Sequence, residues 1–215
     1  MNDHAYFMQR ALSLAAHGRF TAHPNPMVGC VIVNNGQVVG EGYHVQPGTP
    51  HAEVHALQQA GSLAAGADIY INLEPCSHFG RTPPCIDALI AANVKRVIIP
   101  FTDPNPRVNG QGIARLQEVG IEVIHGIETE KAIALNRFFL HAMNTGKAYV
   151  IAKWAMTLDG QLTLANPTQR WITEVEARDH THQQRAQVGA ILIGANTLRL
   201  DKPQLTARPR DIDPE

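Results

Sequence analysis

Three potential metal ligands, far apart in the sequence, limit how this chain can fold. His51 stands in the segment Pro-His-Ala-Glu, and Cys76 and Cys85 each follow a proline. One imidazole and two thiolates leave the fourth position of a tetrahedral zinc open, which a catalytic site needs and a structural site lacks. If the three side chains hold one ion, the fold must bring them together. We therefore predict one catalytic zinc ion per chain.

Glu53, two residues after His51, is predicted to carry protons beside the metal instead of binding it. Zinc lowers the pKa of a coordinated water toward neutrality and so provides hydroxide. Hydrolytic deamination also needs a proton carrier, since ammonia leaves only after protonation. The order His-x-Glu, Pro-Cys and a second Cys is the signature of zinc deaminases that act on nucleobases. Two alternatives stay open: a structural zinc, and two cysteines that are simply buried.

Hydrophobic patterns predict an α/β sandwich with a parallel portion, because strands alternate with helices along the chain. Strands are predicted over residues 28–33, 38–43, 68–73, 96–99 and 121–124, and helices over 5–16, 51–60, 85–92, 112–118 and 129–144. The pattern restarts near residue 145, with strands over 148–156 and 188–194 and a helix over 174–187. We therefore predict two domains, residues 1–145 and residues 146–215.

Charge and composition argue against several classes of protein. A net charge of -1 does not suit a nucleic-acid-binding surface, so no nucleic-acid partner is expected. The chain has no apolar run of about 18 residues that would span a membrane, and its start lacks the pattern of a secretory signal. Three cysteines are an odd number, which disfavours a disulfide framework, and Cys30 is predicted to lie in the core. The expected location is the cytoplasm.

Several longer segments are distinctive: HPNPMVGC from His23, GYH from Gly42, PHAEVHAL from Pro50, LEPCSHFGRTPPC from Leu73 and DPNP from Asp103. Together they resemble the family of bifunctional riboflavin-biosynthesis deaminase/reductases. The segment between the two cysteines is the most specific, because other zinc deaminases typically have two residues there. The resemblance covers essentially the whole chain. It implies a cytidine-deaminase-like three-layer α/β/α sandwich with a mixed sheet, followed by the start of a dihydrofolate-reductase-like α/β domain.

The resemblance implies a small-molecule substrate, a diaminopyrimidinone that carries a ribosylamino 5-phosphate and loses its 2-amino group. It also implies six substrate contacts: Asn25, His44, His78, Arg81, Asp103 and Asn105. Asparagine offers a donor and an acceptor to the edge of a base, whereas histidine and arginine suit ribose or phosphate. Arginine stands at position 81, where the family often has lysine. For the two asparagines, which adjoin prolines, local turn chemistry is the alternative.

The region after residue 146 resembles the start of the family's reductase domain, beginning with the segment KWAMTLDG from Lys153. In that family the domain uses NADPH to reduce the ribosyl group. The resemblance implies nucleotide contacts at Ala155, Trp171, Thr197 and Asp201, and substrate contacts at Gln169, Arg185, Leu205 and Arg208. The chain departs from the family at Gln169, where serine is usual, and at Lys202. Since the family's reductase continues well beyond Glu215, we expect an incomplete domain, and the sequence leaves its reductase activity open. The exposed apolar surface of such a domain would favour a homo-oligomer.

Two other functions remain as alternatives. One is a deaminase of free bases, nucleosides or transfer RNA, against which the long segment between Cys76 and Cys85 argues. The near-neutral net charge of the chain also argues against transfer RNA as the substrate. The other is a zinc-stabilised interaction module without catalytic activity. Such a module would have no open metal position and would lose nothing on the substitution Glu53→Gln.

Overall fold

A β-hairpin forms one edge of the central sheet. The structure is a computed structural model that describes residues 4–80, 82–162 and 171–209. Strands β1 (Gly29–Asn34) and β2 (Gln37–Tyr43) pair antiparallel. Asn35 and Gly36 connect them with φ values of 50° and 78°. Both residues tolerate this left-handed conformation, and two consecutive residues of this kind give a hairpin turn whose twist matches that of the strands.

Three further strands complete a mixed sheet. They are β3 (Asp68–Ile71), β4 (Arg96–Ile98) and β5 (Glu122–Ile124), and the strand order is β2-β1-β3-β4-β5. β3 runs antiparallel to β1, whereas β4 and β5 follow β3 in parallel. Parallel neighbours need crossover connections, which the helices between these strands provide. The mixed sheet implied by the sequence resemblance is confirmed.

Helices cover both faces of the sheet. The first unit contains α1 (His4–Ala15), α2 (Ala52–Ala60), α3 (Cys85–Ala91), α4 (Gln111–Glu118), α5 (Thr129–Leu135) and α6 (Arg137–Thr145), with short 3-10 turns at Ala16–Phe20 and Gly61–Ala64. In β1, Cys30 and Ile32 pack with residues of α2, α3 and α4, while Val31 and Val33 pack with residues of α1 and α5. Both faces of this strand are therefore buried, which explains its continuous apolar sequence. The three layers and the core position of Cys30 agree with the sequence analysis.

Two glycines let α2 lie unusually close to β2. A Cβ atom at Gly40 would come within 2.2 Å of the carbonyl oxygen of Ala56. At Gly42 it would come within 2.5 Å of the carbonyl oxygen of Ala52. Both distances are shorter than any real Cβ contact, so only glycine permits this approach. The packing of α2 on the sheet thus depends on these two residues.

The helix predicted over residues 129–144 is wrong in one respect, because it is interrupted at Asn136. This residue separates α5 from α6 with φ -100° and ψ 21°. Its side-chain Oδ1 accepts a hydrogen bond from the backbone N–H of Met27 at 2.8 Å, and its Nδ2 donates to the carbonyl of Met27 at 2.9 Å. Asn136 therefore fastens the segment before β1, and this tertiary role takes precedence over a regular helix.

Residues Val150–Glu215 form a separate unit from Met1–Tyr149. Its described part contains the helices α7 (Val175–Ala186) and α8 (Ala195–Asp201). α7 agrees with the predicted helix over 174–187, whereas α8 was not predicted. The strands predicted over 148–156 and 188–194 are wrong, since neither stretch forms a strand in the described residues. A strand needs a neighbour for its backbone hydrogen bonds. Within the part of this unit that the structure describes, no strand forms, and the apolar Leu192 is 98% exposed.

Within the described residues, no helix is long and apolar enough to cross a membrane.

Candidate active site

The three predicted metal ligands meet at one end of the sheet. His51 is the residue before α2, Cys85 is the first residue of α3, and Cys76 lies in the loop after β3. Nδ1 of His51 is 3.0 Å from Sγ of Cys85 and 3.5 Å from Sγ of Cys76. The ligand atoms of all three residues lie within 4.8 Å of one another. The fold thus brings together side chains that belong to three separate segments.

This donor set fits zinc. With zinc–nitrogen and zinc–sulfur bonds of about 2.0 and 2.3 Å at tetrahedral angles, the nitrogen and sulfur atoms would be about 3.5 Å apart. The His51–Cys76 separation of 3.5 Å has that value, and the His51–Cys85 separation of 3.0 Å is slightly shorter. Imidazole nitrogen and thiolate sulfur are also the ligands that zinc prefers. Three protein ligands would leave one coordination position for water or substrate.

Protons are shared among the three ligands. Hydrogen bonding with Cys85 and His51 lowers the pKa of Cys76 to about 4, although burial opposes this shift. Hydrogen bonding with Cys76, together with burial, raises the pKa of Cys85, and the bond to Cys76 also raises the pKa of His51. The backbone N–H of Cys85 donates to Sγ of Cys76 at 3.3 Å, which further favours the thiolate. A bound cation would displace the remaining protons from this cluster.

Thr82 contacts the side of His51 that faces away from the sulfur atoms. Its Oγ1 lies 3.2 Å from Nε2 of His51. When one imidazole nitrogen binds a metal, a hydrogen bond from the other nitrogen sets the tautomer and the ring orientation. Thr82 lies in the long segment between Cys76 and Cys85, so this segment supplies an orienting contact that a two-residue spacing would not.

Glu53 lies beside the ligands, in the first turn of α2. The residue is only 3% exposed, and its Oε2 has no hydrogen-bond partner among the described residues. Burial and the charge of Cys76 raise the pKa of this carboxyl group. A buried carboxyl oxygen without a partner is costly, so a ligand or water at this atom is expected. These properties suit a group that accepts a proton and releases it again.

A cavity of about 430 Å³ opens onto the ligands and Glu53. This volume is in the range of small-molecule sites. Its wall includes His51, Glu53 and Cys76, together with five of the six substrate contacts implied by the sequence resemblance: Asn25, His44, His78, Asp103 and Asn105. The sixth, Arg81, lies outside the described residues.

Asn25 and His44 are linked on one side of the cavity. Nδ2 of Asn25 is 3.0 Å from Nε2 of His44, and the ring of His44 meets that of His51 edge-on at 5.3 Å. Burial and the neighbouring His51 lower the pKa of His44, which favours its neutral ring. A neutral His44 accepts a hydrogen bond at Nε2 from Asn25, which leaves the amide oxygen of Asn25 for other partners.

Asp103 and Asn105 are linked on another side. The backbone N–H of Asn105 donates to Oδ1 of Asp103 at 2.8 Å. Burial is the main cause that raises the pKa of Asp103 to about 6. Near this pair, Nδ1 of His78 is buried without a hydrogen-bond partner among the described residues. The cavity therefore offers several polar atoms that a bound molecule could satisfy.

The residues implied for a reductase are spread along the second unit. Arg185 lies on α7, Thr197 and Asp201 on α8, and the other described residues, Ala155, Trp171, Leu205 and Arg208, on connecting segments. The ring of Trp171 stacks under the guanidinium of Arg178, whose Cζ is 4.8 Å from the ring centre. Gln169 lies outside the described residues.

The residues of the cavity wall that the sequence analysis did not single out include Glu74, Thr82 and Phe139. Glu74 and Thr82 stand within the LEPCSHFGRTPPC segment, so their position close to Cys76 and Cys85 was a usable signal. Phe139 comes from α6 and carried no such signal.

Two protein families match successive parts of the chain. Residues 1–100 match the cytidine and deoxycytidylate deaminase zinc-binding region. Residues 148–215 match the RibD C-terminal domain. The first match agrees with the zinc ligands and with the deaminase-like fold predicted from the sequence.

Individual relatives match most of this chain. The riboflavin biosynthesis protein RibD of Escherichia coli is 53% identical over 208 residues, which are 97% of this chain and 57% of that protein. A structure of Acinetobacter baumannii RibD is 47% identical with a TM-score of 0.93 and is matched over 59% of its chain. A deaminase/reductase structure from Thermotoga maritima is 40% identical with a TM-score of 0.89. The chain thus spans little more than half the length of the relatives it matches.

Proposed function

Because the chain belongs to the RibD family of riboflavin biosynthesis proteins, we propose that residues 1–145 form a zinc-dependent pyrimidine deaminase domain. The proposed substrate is 2,5-diamino-6-(5-phosphoribosylamino)pyrimidin-4-one. The Thermotoga maritima relative is described as a diaminohydroxyphosphoribosylaminopyrimidine deaminase, which supports this choice. The observation that carries the proposal is the cluster of His51, Cys76 and Cys85 beside a cavity that His51, Cys76 and the buried Glu53 line.

The proposed reaction replaces the 2-amino group by a carbonyl. A carbon–oxygen bond to water forms, the carbon–nitrogen bond breaks, and ammonia leaves, so no oxidant or reductant is needed. Zinc held by His51, Cys76 and Cys85 would lower the pKa of water and make hydroxide available near neutral pH.

Glu53 is proposed to move the protons of this reaction through Oε2. It takes one proton from water and delivers it to the ring nitrogen, and it then takes the second proton from the added hydroxyl group and delivers it to the departing amine. Its raised pKa suits both steps, because the carboxyl group accepts a proton more readily than an exposed glutamate does. Its position two residues after His51 keeps this carrier beside the metal ligands.

Substrate recognition is proposed to use the polar residues of the cavity wall. Asn25, held by His44, would contact the edge of the base. His44, His78 and Arg81 would contact ribose or phosphate, and Asp103 and Asn105 would contact sugar or base. A site that hydrogen-bonds polar substrate groups rejects molecules that lack them, because its own buried groups are then left unpaired. The proposal therefore predicts discrimination against unphosphorylated bases.

Ammonia release tests this function. The wild-type protein should deaminate the phosphorylated pyrimidine much faster than cytidine or guanine, and a chelator should stop the reaction until zinc is restored. A preference for an unphosphorylated base or nucleoside would favour the alternative deaminase function. Full activity in zinc-free protein would exclude the proposed chemistry.

Residues 146–215 are proposed to be the beginning of a reductase domain that in its full length uses NADPH. We propose nucleotide contacts at Ala155, Trp171, Thr197 and Asp201 and substrate contacts at Gln169, Arg185, Leu205 and Arg208. Fluorescence titration with NADPH tests this part separately. The homo-oligomer and the cytoplasmic location stay predictions.

A further inference from the structure

Glu74 is a buried carboxylate just beyond the end of β3, only 4% exposed. Each of its oxygen atoms accepts two hydrogen bonds from the backbone. Oε2 accepts the N–H groups of Asp103 and Gly110, both at 3.0 Å, and Oε1 accepts those of Gly112 at 3.1 Å and Ile113 at 3.4 Å. Hydrogen bonds to a charged acceptor are stronger than neutral ones, and a buried carboxylate needs them.

These bonds cap α4 from outside the helix. The first N–H groups of a helix have no partner within it, and a side chain at the N-cap usually accepts one of them. The N-cap of α4 is Gly110, which has no side chain and adopts φ 82°. Glu74 accepts the N–H groups of this residue and of the first turn instead. The start of α4 is therefore fixed to the end of β3.

The same carboxylate fixes the loop that precedes α4. This loop carries Asp103 and Asn105, whose side chains line the cavity. Glu74 holds the backbone N–H of Asp103, and Oδ1 of Asp103 in turn holds the backbone N–H of Asn105. A short chain of hydrogen bonds thus runs from Glu74 to both cavity residues.

Close packing leaves this arrangement little freedom. A Cβ atom at Gly112 would lie 2.6 Å from the carbonyl oxygen of Pro75 and 3.0 Å from Oε1 of Glu74. The start of α4 therefore lies against the segment that leads from Glu74 to Cys76. Any movement of the loop relative to this segment would also move Asp103 relative to the metal ligands.

We propose that Glu74 is a positioning residue, which holds Asp103 and Asn105 at the distance from the metal ligands that the substrate requires. It is not an acid or base in the reaction, because four backbone donors already occupy its two oxygen atoms. The proposal rests on the proposed function in one respect, the contact of Asp103 and Asn105 with the substrate.

The test compares Glu74→Gln with Asp68→Asn. The glutamine keeps the size of the side chain but presents an N–H₂ group to backbone N–H donors. Asp68 is a matched control, a buried carboxylate at the other end of β3 that pairs with Arg96 at 2.6 Å and does not line the cavity. Each variant is assayed for ammonia release, for zinc content and, by NMR, for hydrogen exchange of the amides of residues 103–113.

Glu74→Gln should retain zinc, speed the exchange of these amides, and lower kcat/KM by about 100-fold, the typical effect of a displacement of about 1 Å at a site. Asp68→Asn should leave both the exchange of residues 103–113 and kcat/KM unchanged. Unchanged exchange or unchanged kcat/KM in Glu74→Gln would overturn the proposal, and so would loss of zinc, which would give Glu74 a role at the metal instead.

The experiment also gives an answer if the variant does not fold or if the wild-type protein is inactive. If Glu74→Gln does not fold, the wild-type amides of Asp103, Gly110 and Gly112 must exchange slowly, and rapid exchange there would overturn the proposal. If the wild-type protein does not deaminate the pyrimidine, the proposed function fails, while the exchange comparison still decides whether Glu74 holds the loop.

Discussion

The substitution Gly42→Ala should push α2 slightly away from the sheet and lower both the stability and the activity of the protein. The new Cβ would lie 2.5 Å from the carbonyl oxygen of Ala52, 2.6 Å from Cβ of His55 and 2.8 Å from the backbone nitrogen of Ala56. Since ordinary contact begins at 3.4 Å, α2 must retreat by about 0.9 Å. Overpacking of this kind typically lowers the free energy of unfolding by about 1–3 kcal/mol.

Activity should fall further than stability suggests, because α2 carries Glu53 in its first turn. A displacement of about 1 Å at a catalytic group typically costs about 100-fold in rate. Urea unfolding measures the first effect and ammonia release the second, with zinc content determined on the same samples.

Gly194→Ala is the matched control for Gly42→Ala. Gly194 has φ -66°, which alanine adopts, and the nearest atom to its new Cβ is Oγ1 of Thr197 at 3.9 Å. This control should cost a few tenths of a kcal/mol, the typical difference between glycine and alanine at a tolerant position, and should leave activity unchanged. If Gly42→Ala is as stable and as active as the control, the close packing of α2 on β2 does not position Glu53.

Three further predictions concern single contacts. Asn136→Ala removes both side-chain bonds to Met27 and should lower the free energy of unfolding by about 1–3 kcal/mol in urea titrations, because the backbone groups of Met27 lose their partners. Thr82→Val should weaken zinc binding by about tenfold in a competition with a chelator, whereas Thr82→Ser should bind zinc like the wild type, since it keeps the hydroxyl group near His51. Burial raises the pKa of Asp103 from 3.8 to about 6, so the folded protein holds this proton more tightly than the unfolded chain does. The protonated side chain therefore adds to the free energy of unfolding at low pH, and this contribution is lost as the pH rises through 6. Between pH 5 and pH 7, the free energy of unfolding of zinc-free Asp103→Asn, measured in urea, should therefore rise by about 1 kcal/mol relative to that of the wild type. A difference between the two proteins that stays constant over this pH range would contradict the raised pKa.

Local patterns predicted the parts of the molecule that depend on neighbouring residues. His51 and Glu53 belong to one short segment at a helix start, and their order together with the two later Pro-Cys pairs indicated a ligand and a proton carrier. The apolar run of β1 and the Asn35-Gly36 turn indicated the hairpin. Cys76 and Cys85 were predictable as ligands because each follows a proline and because the surrounding segment resembles a known family.

Other features depend on partners that are distant in the sequence. Asp103 and Ile113, which bond to Glu74, lie 29 and 39 residues beyond it, and both donate through the backbone, which leaves no trace in residue type. Asn136 interrupts a helical pattern because of a partner 109 residues away. The strands predicted over 148–156 and 188–194 failed for the same reason, since a strand is defined by its neighbours and not by its own apolar residues.

Turnover and zinc content of Glu53→Gln, measured on one preparation, test the central claim most directly. The variant keeps the size of the side chain and leaves His51, Cys76 and Cys85 unchanged, so it should bind one zinc ion per chain as the wild type does. Ammonia release from the phosphorylated pyrimidine should fall by about 100- to 10,000-fold, the usual contribution of general acid–base catalysis. Wild-type turnover in the zinc-loaded variant would contradict the assignment of Glu53 as the proton carrier.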